Sequence, residues 1–515
     1  AAFIQWLIDP EPGPDARFQA YWQQERRSAA QISDTARLDR LYAQRDERRQ
    51  AALPLLAANH AQSIFYQLDL SALATDYARS NHPLPAEPAQ DEGEPLHLIH
   101  DRMFRAMVLR HRDQPDWSRY DAEAFGLLRK TLTAQIEPVQ AHRNVLADQI
   151  VWARSPVRLD LAGGWTDTPP YCLLHGGRVV NLAAELNGQP PIQVYAKPLE
   201  RPEIVIRSID LSYEERLTTF EDLANYDQIG SAFAIPKAAL ALAGLLPAFA
   251  RQPETSLARQ LEAAGGGIEL SLLAAVPKGS GLGTSSILAA TVLGALSSYY
   301  ELGWDLMEIG HRTLILEQLL TSGGGWQDQY GGILPGIKYL ETVPGMDQRP
   351  QVRWLPDQFF RHPDQQACML LYYTGITRVA HNILGEIVRG MFLNSSQHLS
   401  HIHQLYHHAQ QTYEVIQRGQ YRQLASMVRR TWELNRALDN GTNPPAVAAI
   451  LAQVEDWLAG AKLLGAGGGG FLLMMAKDAQ AAARVRESLC QNPPNALARF
   501  VEFAISDTGL QVTRS

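Results

Sequence analysis

The chain has 515 residues, 46% of them hydrophobic and 19% charged, with a net charge of −8 and a pI near 6.0. That balance excludes the basic face of a nucleic-acid binder, and no uncharged apolar run reaches the ~18 residues a membrane-crossing helix needs. The length fits roughly two to four domains, and three scattered cysteines (Cys172, Cys368 and Cys490) without a CxxC pair point to a reducing cytoplasm.

The sequence opens AAFIQWLIDP, without Met and without a charged region before an apolar stretch. It reads as a fragment of a longer chain rather than as a signal peptide. Residues 1–150 are rich in Ala, Gln, Arg and Leu, and Leu38, Leu41, Ala52 and Leu56 fall at helical intervals. A polar loop over 80–95 splits this region, and HLIHDRMFRAMVLRHR and DAEAFGLLRKTLTAQI continue the helical pattern. A helical linker or docking domain without catalytic groups is expected there.

From about 151 short β-like runs with glycine turns (GGRVVNLAAEL, IQVYAKPL, EIVIRSIDL) alternate with helical segments such as SILAATVLGALSSYYEL and DLMEIGHRTLILEQLL. Beyond about 345 come a strand-like ACMLLYYTG, a helical stretch over 381–438 and a helix PPAVAAILAQVEDWLAGA. Strand FLLMMAKD, helix AAARVRESLC and strand RFVEFAISD follow. Two α+β domains, 151–345 and 346–515, are expected to share a cleft that holds the site.

PKGSGLGTSS, Pro277–Ser286, lies between a predicted strand, GIELSLLAAVP, and a predicted helix, SSILAATVLGAL. In that context backbone N–H groups point at an anion. Gly279, Gly281 and Gly283, with Ser280 among them, let the main chain approach a phosphate without a Cβ in the way. Thr284, Ser285 and Ser286 offer hydroxyls at the first turn of the helix, and Lys278 adds a positive charge beside the loop. The pattern is neither GxxxxGK[ST] nor GxGxxG with a ribose-binding acid, so a plain turn stays open.

Three further stretches accompany it: SPVRLDLAGGWTDTPP (155–170), LEQLLTSGGGWQDQYGG (316–332) and KLLGAGGGGFLL (462–473). In the last, glycine is so dense that a backbone or a ligand must pack against it. These stretches, in this order, resemble the motifs of the GHMP small-molecule kinases, over roughly residues 151–515. GGWTDTPP resembles L-fucokinases rather than the Gly-Glu-His-Thr-Asp run of galactokinases. A helical segment ahead of such a kinase resembles the bifunctional enzymes that join a nucleotide-sugar pyrophosphorylase to a fucokinase.

The resemblance implies an α+β fold with an S5-like N-terminal and a ferredoxin-like C-terminal kinase domain, preceded by a helical domain. It implies ATP- and Mg²⁺-dependent phosphorylation of L-fucose at the anomeric hydroxyl, feeding GDP-L-fucose salvage. Lys278, Gly279, Ser280, Gly281, Gly283, Thr284, Ser285 and Ser286 are then expected on ATP, and Ser286 (or Ser285) with Glu317 on Mg²⁺. Asp328 matches the catalytic aspartate that takes the hydroxyl proton, and Arg158 the cation beside it that neutralises charge on the transferring group. That cation also weakens the base, so Asp328 as a positioning group stays open. Sugar contacts are expected at Asp167, Trp165, Gly324 and Gly468, with a Trp165 packed under the loop as the alternative.

Thr377 and Arg378 are weaker candidates for the second domain's face of the cleft. His398, His401, His403, His407 and His408 lack an HExxH and read as a solvated helix face. The expected partners are L-fucose, ATP and a fused N-terminal pyrophosphorylase, in a homo-oligomer without nucleic acid or membrane. A heptose phosphate or galactose kinase, or a catalytically silent sugar- or nucleotide-binding module, remains the alternative.

Overall fold

A computed structural model of the chain describes residues 28–515 apart from 36, 61, 81, 89–94, 229–230, 232, 321–322 and 377–380. Thr377 and Arg378 lie outside the described residues. By packing, the chain divides into Ala1–Phe65 and Tyr66–Ser515. Divisions at 150/151 and 345/346 stand as a proposal about sequence organisation. The first unit holds helices Ala29–Thr35 and Leu38–Ala58. Among the described residues no helix is long and apolar enough to cross a membrane.

The second unit begins with helices Leu70–Ser80, Pro95–His111 and Trp117–Thr133. Three sheets follow. One places Gln511–Arg514, Val151–Ser155, Ile192–Leu199, Gly267–Ala274, Ile204–Ser208 and Tyr213–Leu217 side by side, antiparallel except for the pairing of Ile204–Ser208 with Gly267–Ala274. Ile192–Leu199 alternates buried and half-buried side chains over most of its length, the pattern of a strand with one face on the core. A second sheet runs Phe503–Ile505, Arg178–Leu186, Ile337–Glu341, Gln351–Trp354, with Val157–Ala162 also on Arg178–Leu186. The third is antiparallel and runs Leu458–Leu463, Phe471–Ala476, Met369–Tyr373, Arg499–Val501. The last two strands of the chain therefore return to the sheets that begin near residue 151.

Helix Thr284–Tyr299 is apolar almost all round and is buried on nearly every side, against the six-stranded sheet and helices Leu306–Leu319 and Gln327–Ile333. Asp305 caps Leu306–Leu319 by accepting from the Glu308 N–H at 2.8 Å. The stretch expected as one helix, PPAVAAILAQVEDWLAGA, instead ends at Val454, and Leu458–Leu463 is the edge strand of the third sheet. Gly460 allows that change: a Cβ there would sit 2.1 Å from the Ala425 carbonyl oxygen, where helix Leu424–Leu438 crosses the strand. The expected helical stretch over 381–438 is three helices, His381–Phe392, Ser396–Gln417 and Leu424–Leu438.

Candidate active site

The motif over 155–170 and the stretch over 316–332 meet at one salt bridge. Arg158 lies on the buried strand Val157–Ala162, and Asp328 in the first turn of Gln327–Ile333. Arg158 Nε donates to Asp328 Oδ1 at 2.8 Å and Nη2 lies 2.6 Å from the same oxygen. Nη1 donates to the Gly281 carbonyl at 2.7 Å, tying the pair to the glycine turn. Gly283 is left-handed (φ 74°), and a Cβ there would lie 3.1 Å from Asp328 Cβ and 3.2 Å from Arg158 Cγ. The Arg158 side chain is 4% exposed and that of Asp328 is 32% exposed, so the carboxylate is the part of the pair that reaches the cleft.

Behind this pair lies a charge network that the sequence reading missed. Asp160 Oδ1 takes a 3.3 Å hydrogen bond from Arg158 Nη1 and a 3.1 Å one from the Gly465 N–H. Lys462, fully buried, donates to the Asp160 carboxylate and, at 3.0 Å, to the Asp160 carbonyl. Burial opposes charge on Asp160, but Lys462 and Arg158 outweigh it and hold its carboxyl below the usual range. A signal was present: an Arg and an Asp alternate inside an otherwise apolar strand, VRLDLA.

Ser286 Oγ donates to Glu317 Oε1 at 2.7 Å. This hydroxyl and carboxylate stand at the N-terminal turn of a 16-residue helix, whose dipole favours anions. An oxygen donor set beside free backbone N–H groups suits Mg²⁺ and phosphate, so the residues present fit both. The triple-glycine turn wraps two carboxylates: a Cβ at Gly324 would lie 3.2 Å from Glu317 Oε2, and one at Gly325 2.1 Å from Asp167 Oδ2. Asp167 Oδ2 accepts from the Gln327 N–H at 2.9 Å. Burial pushes the Asp167 carboxyl up to about 6, opposed by that N–H and reinforced by the charge on Asp328.

One cleft of about 330 Å³ is lined by Arg158, Asp160, Trp165, Asp167, Asp328 and Glu317, together with Ser285, Ser286 and Gly324. Trp165 is 8% exposed and packs with Tyr171, Ile387, Met391 and Leu434 while lining the cleft, so it serves both as packing and as wall. Its φ of 80° is a conformation an L side chain adopts at a cost, held here by the turn from the Gly163 carbonyl to the Thr166 N–H.

Other expected residues lie behind or beside the cleft. Ser280 is buried, with its Oγ 3.0 Å from Thr284 Oγ1, and both Gly279 and Lys278 are exposed and line no part of the cleft. Gly468 is buried away from it, donating its N–H to the Thr442 carbonyl at 2.8 Å; Gly465 and Ala466 line the cleft instead. The dense glycines answer to backbone: a Cβ at Gly470 would sit 2.3 Å from the Ser280 carbonyl oxygen and one at Gly281 2.2 Å from that of Leu464. Among the described residues no three or more His, Cys, Asp and Glu side chains gather into a metal-binding cluster, so a cation here would rest on the single carboxylate of Glu317, the Ser286 hydroxyl and ligand oxygens. His408, expected on a solvated face, is buried with Nε2 3.0 Å from the Met427 carbonyl and Thr431 Oγ1.

The GHMP kinases N terminal domain model matches residues 252–336, and the GHMP kinases C terminal model matches 412–495. A relative from Bacteroides fragilis named L-fucokinase/L-fucose-1-P guanylyltransferase is 53% identical over 514 residues, 99% of this chain and 54% of its own length. A bifunctional fucokinase/GDP-fucose pyrophosphorylase from Arabidopsis thaliana is 33% identical over 336 residues, 65% of this chain and 30% of its own. The chain thus spans about half the length of the first relative and under a third of the second. A solved D-glycero-D-manno-heptose 1-phosphate kinase from Bacteroides thetaiotaomicron superimposes with a TM-score of 0.52 at 19% identity, covering 70% of this chain and 98% of that one. At that identity the likeness is one of fold.

Proposed function

Because the chain carries the N-terminal and C-terminal domains of the GHMP kinases in their α+β fold, we propose that it transfers the terminal phosphoryl group of ATP to the anomeric hydroxyl of L-fucose, giving L-fucose 1-phosphate. The observation that carries this reading is the Asp328 carboxylate, held by Arg158 and presented to a cleft shared with the Ser286–Glu317 pair. The choice of sugar rests on the fucokinase names of the two relatives.

Bound Mg²⁺ and ATP supply a phosphoryl group whose charge is partly neutralised. Ser286 and Glu317 would hold the cation, and Ser285 beside them at the start of the helix would meet the phosphates. Asp167 and Trp165 position the sugar so that its anomeric hydroxyl meets Asp328. Both Arg158 contacts use Asp328 Oδ1, which leaves Oδ2 to take the hydroxyl proton. In a loose transition state the proton departs late, so the carboxylate need only stand within reach of the hydroxyl. Arg158 then faces the charge that builds on the transferring oxygens.

The product, a sugar 1-phosphate, is the substrate of a nucleotidyltransferase, the second activity in the name of the Bacteroides relative. This supports a chain that acts as the kinase part of such a bifunctional protein. All three cysteines are free thiols, in keeping with a reducing cytoplasm.

The test is Asp328→Asn assayed with ATP and L-fucose. We expect kcat to fall about 10³-fold or more while KM for the sugar stays within about threefold. Turnover near the wild-type rate would refute the catalytic assignment. A panel of L-fucose, D-arabinose, D-galactose and a heptose phosphate tests the sugar, with the first two expected to be preferred.

A further inference from the structure

We propose that Gln327 and Asn435 are specificity-determining residues that bind ring hydroxyls of the sugar in the cleft that both line. The inference rests on the sugar-kinase reading above.

Both side chains line the cleft, at 5% and 3% exposure. In each the amide oxygen is buried without a hydrogen-bond partner among the described residues. Buried amide oxygens are ordinarily paired, so two orphans in one cleft call for a partner that arrives from outside. Their settings differ in the way a bound ring requires. Gln327 opens the helix that carries Asp328, and its N–H is fixed on Asp167. Its side chain faces Gly164, where a Cβ would come within 3.7 Å of Oε1. Asn435 comes from the later helix Leu424–Leu438, whose Leu434 and Leu438 pack in the same cluster as Trp165. That helix is pinned to the opposite strand by the Thr431 hydroxyl, which donates to the Leu161 carbonyl at 2.9 Å.

The chemistry selects a hydroxyl rather than a phosphate. An amide offers an acceptor and two donors, and a sugar hydroxyl both donates and accepts, so either end of the amide finds a match. Neighbouring hydroxyls on a pyranose can use both ends at once. A phosphate, with acceptors only, would leave the amide oxygens unpaired. Gln329, two residues along, differs in place rather than in pairing: its Nε2 donates to the Gly310 carbonyl at 3.4 Å and its buried Oε1 is also unpaired among the described residues, but it lines no part of the cleft where a sugar could reach it.

Steady-state kinetics of Gln327→Leu and Asn435→Ala in the full chain test this, with Asn435→Asp as a shape-preserving variant. KM for the sugar should rise roughly 10- to 100-fold in each while KM for ATP stays within about twofold. Among monodeoxy sugars, the analogue that costs the wild type most should cost the matching variant little. Unchanged sugar KM in a variant that melts like the wild type, or equal shifts in both KM values, would overturn the proposal. A wild-type chain that phosphorylates no sugar would overturn the kinase reading and this inference with it.

Discussion

Asp167 shows how one side chain can serve binding at the expense of stability. Its folded pKa of about 6 lies above the ordinary 3.8, so folding favours the protonated form. The stability linked to this group is fully present below about pH 4 and is lost as pH rises through 6. Asp167→Asn keeps a neutral side chain at every pH. It should therefore stabilise the protein by about 1–3 kcal/mol at pH 8 and by little at pH 4.5, read from melting temperatures across that range. Its KM for sugar should rise. Arg158→Lys tests the neighbouring pair: a lysine keeps the charge but cannot reach Asp328, Asp160 and the Gly281 carbonyl together, so kcat should fall about 10²-fold or more. Asp328, Arg158, Glu317 and Ser286 were legible because motifs fix their positions. The charged residues inside VRLDLA mark Asp160 as unusual, but its bond to Lys462 joins residues 302 apart in the chain and only folding shows it.

At the scale of elements, what failed was the reading of a continuous apolar pattern. The segment 445–463 keeps its apolar residues through a change from helix to strand, and pairing with Phe471–Ala476 decides the outcome where local propensity does not. The strand before the glycine turn and the helix after it were legible, because Gly and Ser break the apolar runs at the right places. The two glycine-rich loops pack backbone to backbone: the Phe471 N–H donates to the Ser280 carbonyl at 2.9 Å. Gly470→Ala should thus destabilise the fold by about 2–4 kcal/mol and raise KM for ATP, although residue 470 lines no part of the cleft. Thermal melts with nucleotide titration would check both effects.

At the scale of the molecule, helix Trp117–Thr133 bridges the walls of the site. It packs on Leu306–Leu319, which carries Glu317, and on His381–Phe392, which lies under Trp165. The second contact is an Arg389 guanidinium on the Asp121 carboxylate at 2.7 and 2.9 Å, next to Phe125 edge-on to Phe392. Residues 1–150 read as a helical linker or docking domain in sequence, and nothing in their composition showed that Trp117–Thr133 packs on helices that line the site. Asp121→Ala should lower the melting temperature by a few degrees and raise KM for sugar several-fold, with KM for ATP nearly unchanged.

The contact between the glycine loops also bears on how tolerance to substitution should be interpreted in this chain. Gly281 and Gly470 will reject any larger residue because another main chain occupies the space, with or without nucleotide. A saturation scan would therefore outline a footprint wider than the ligand itself. Separating scaffold from recognition would take residues such as Asn435, whose replacement should leave folding intact and alter only which sugar is turned over.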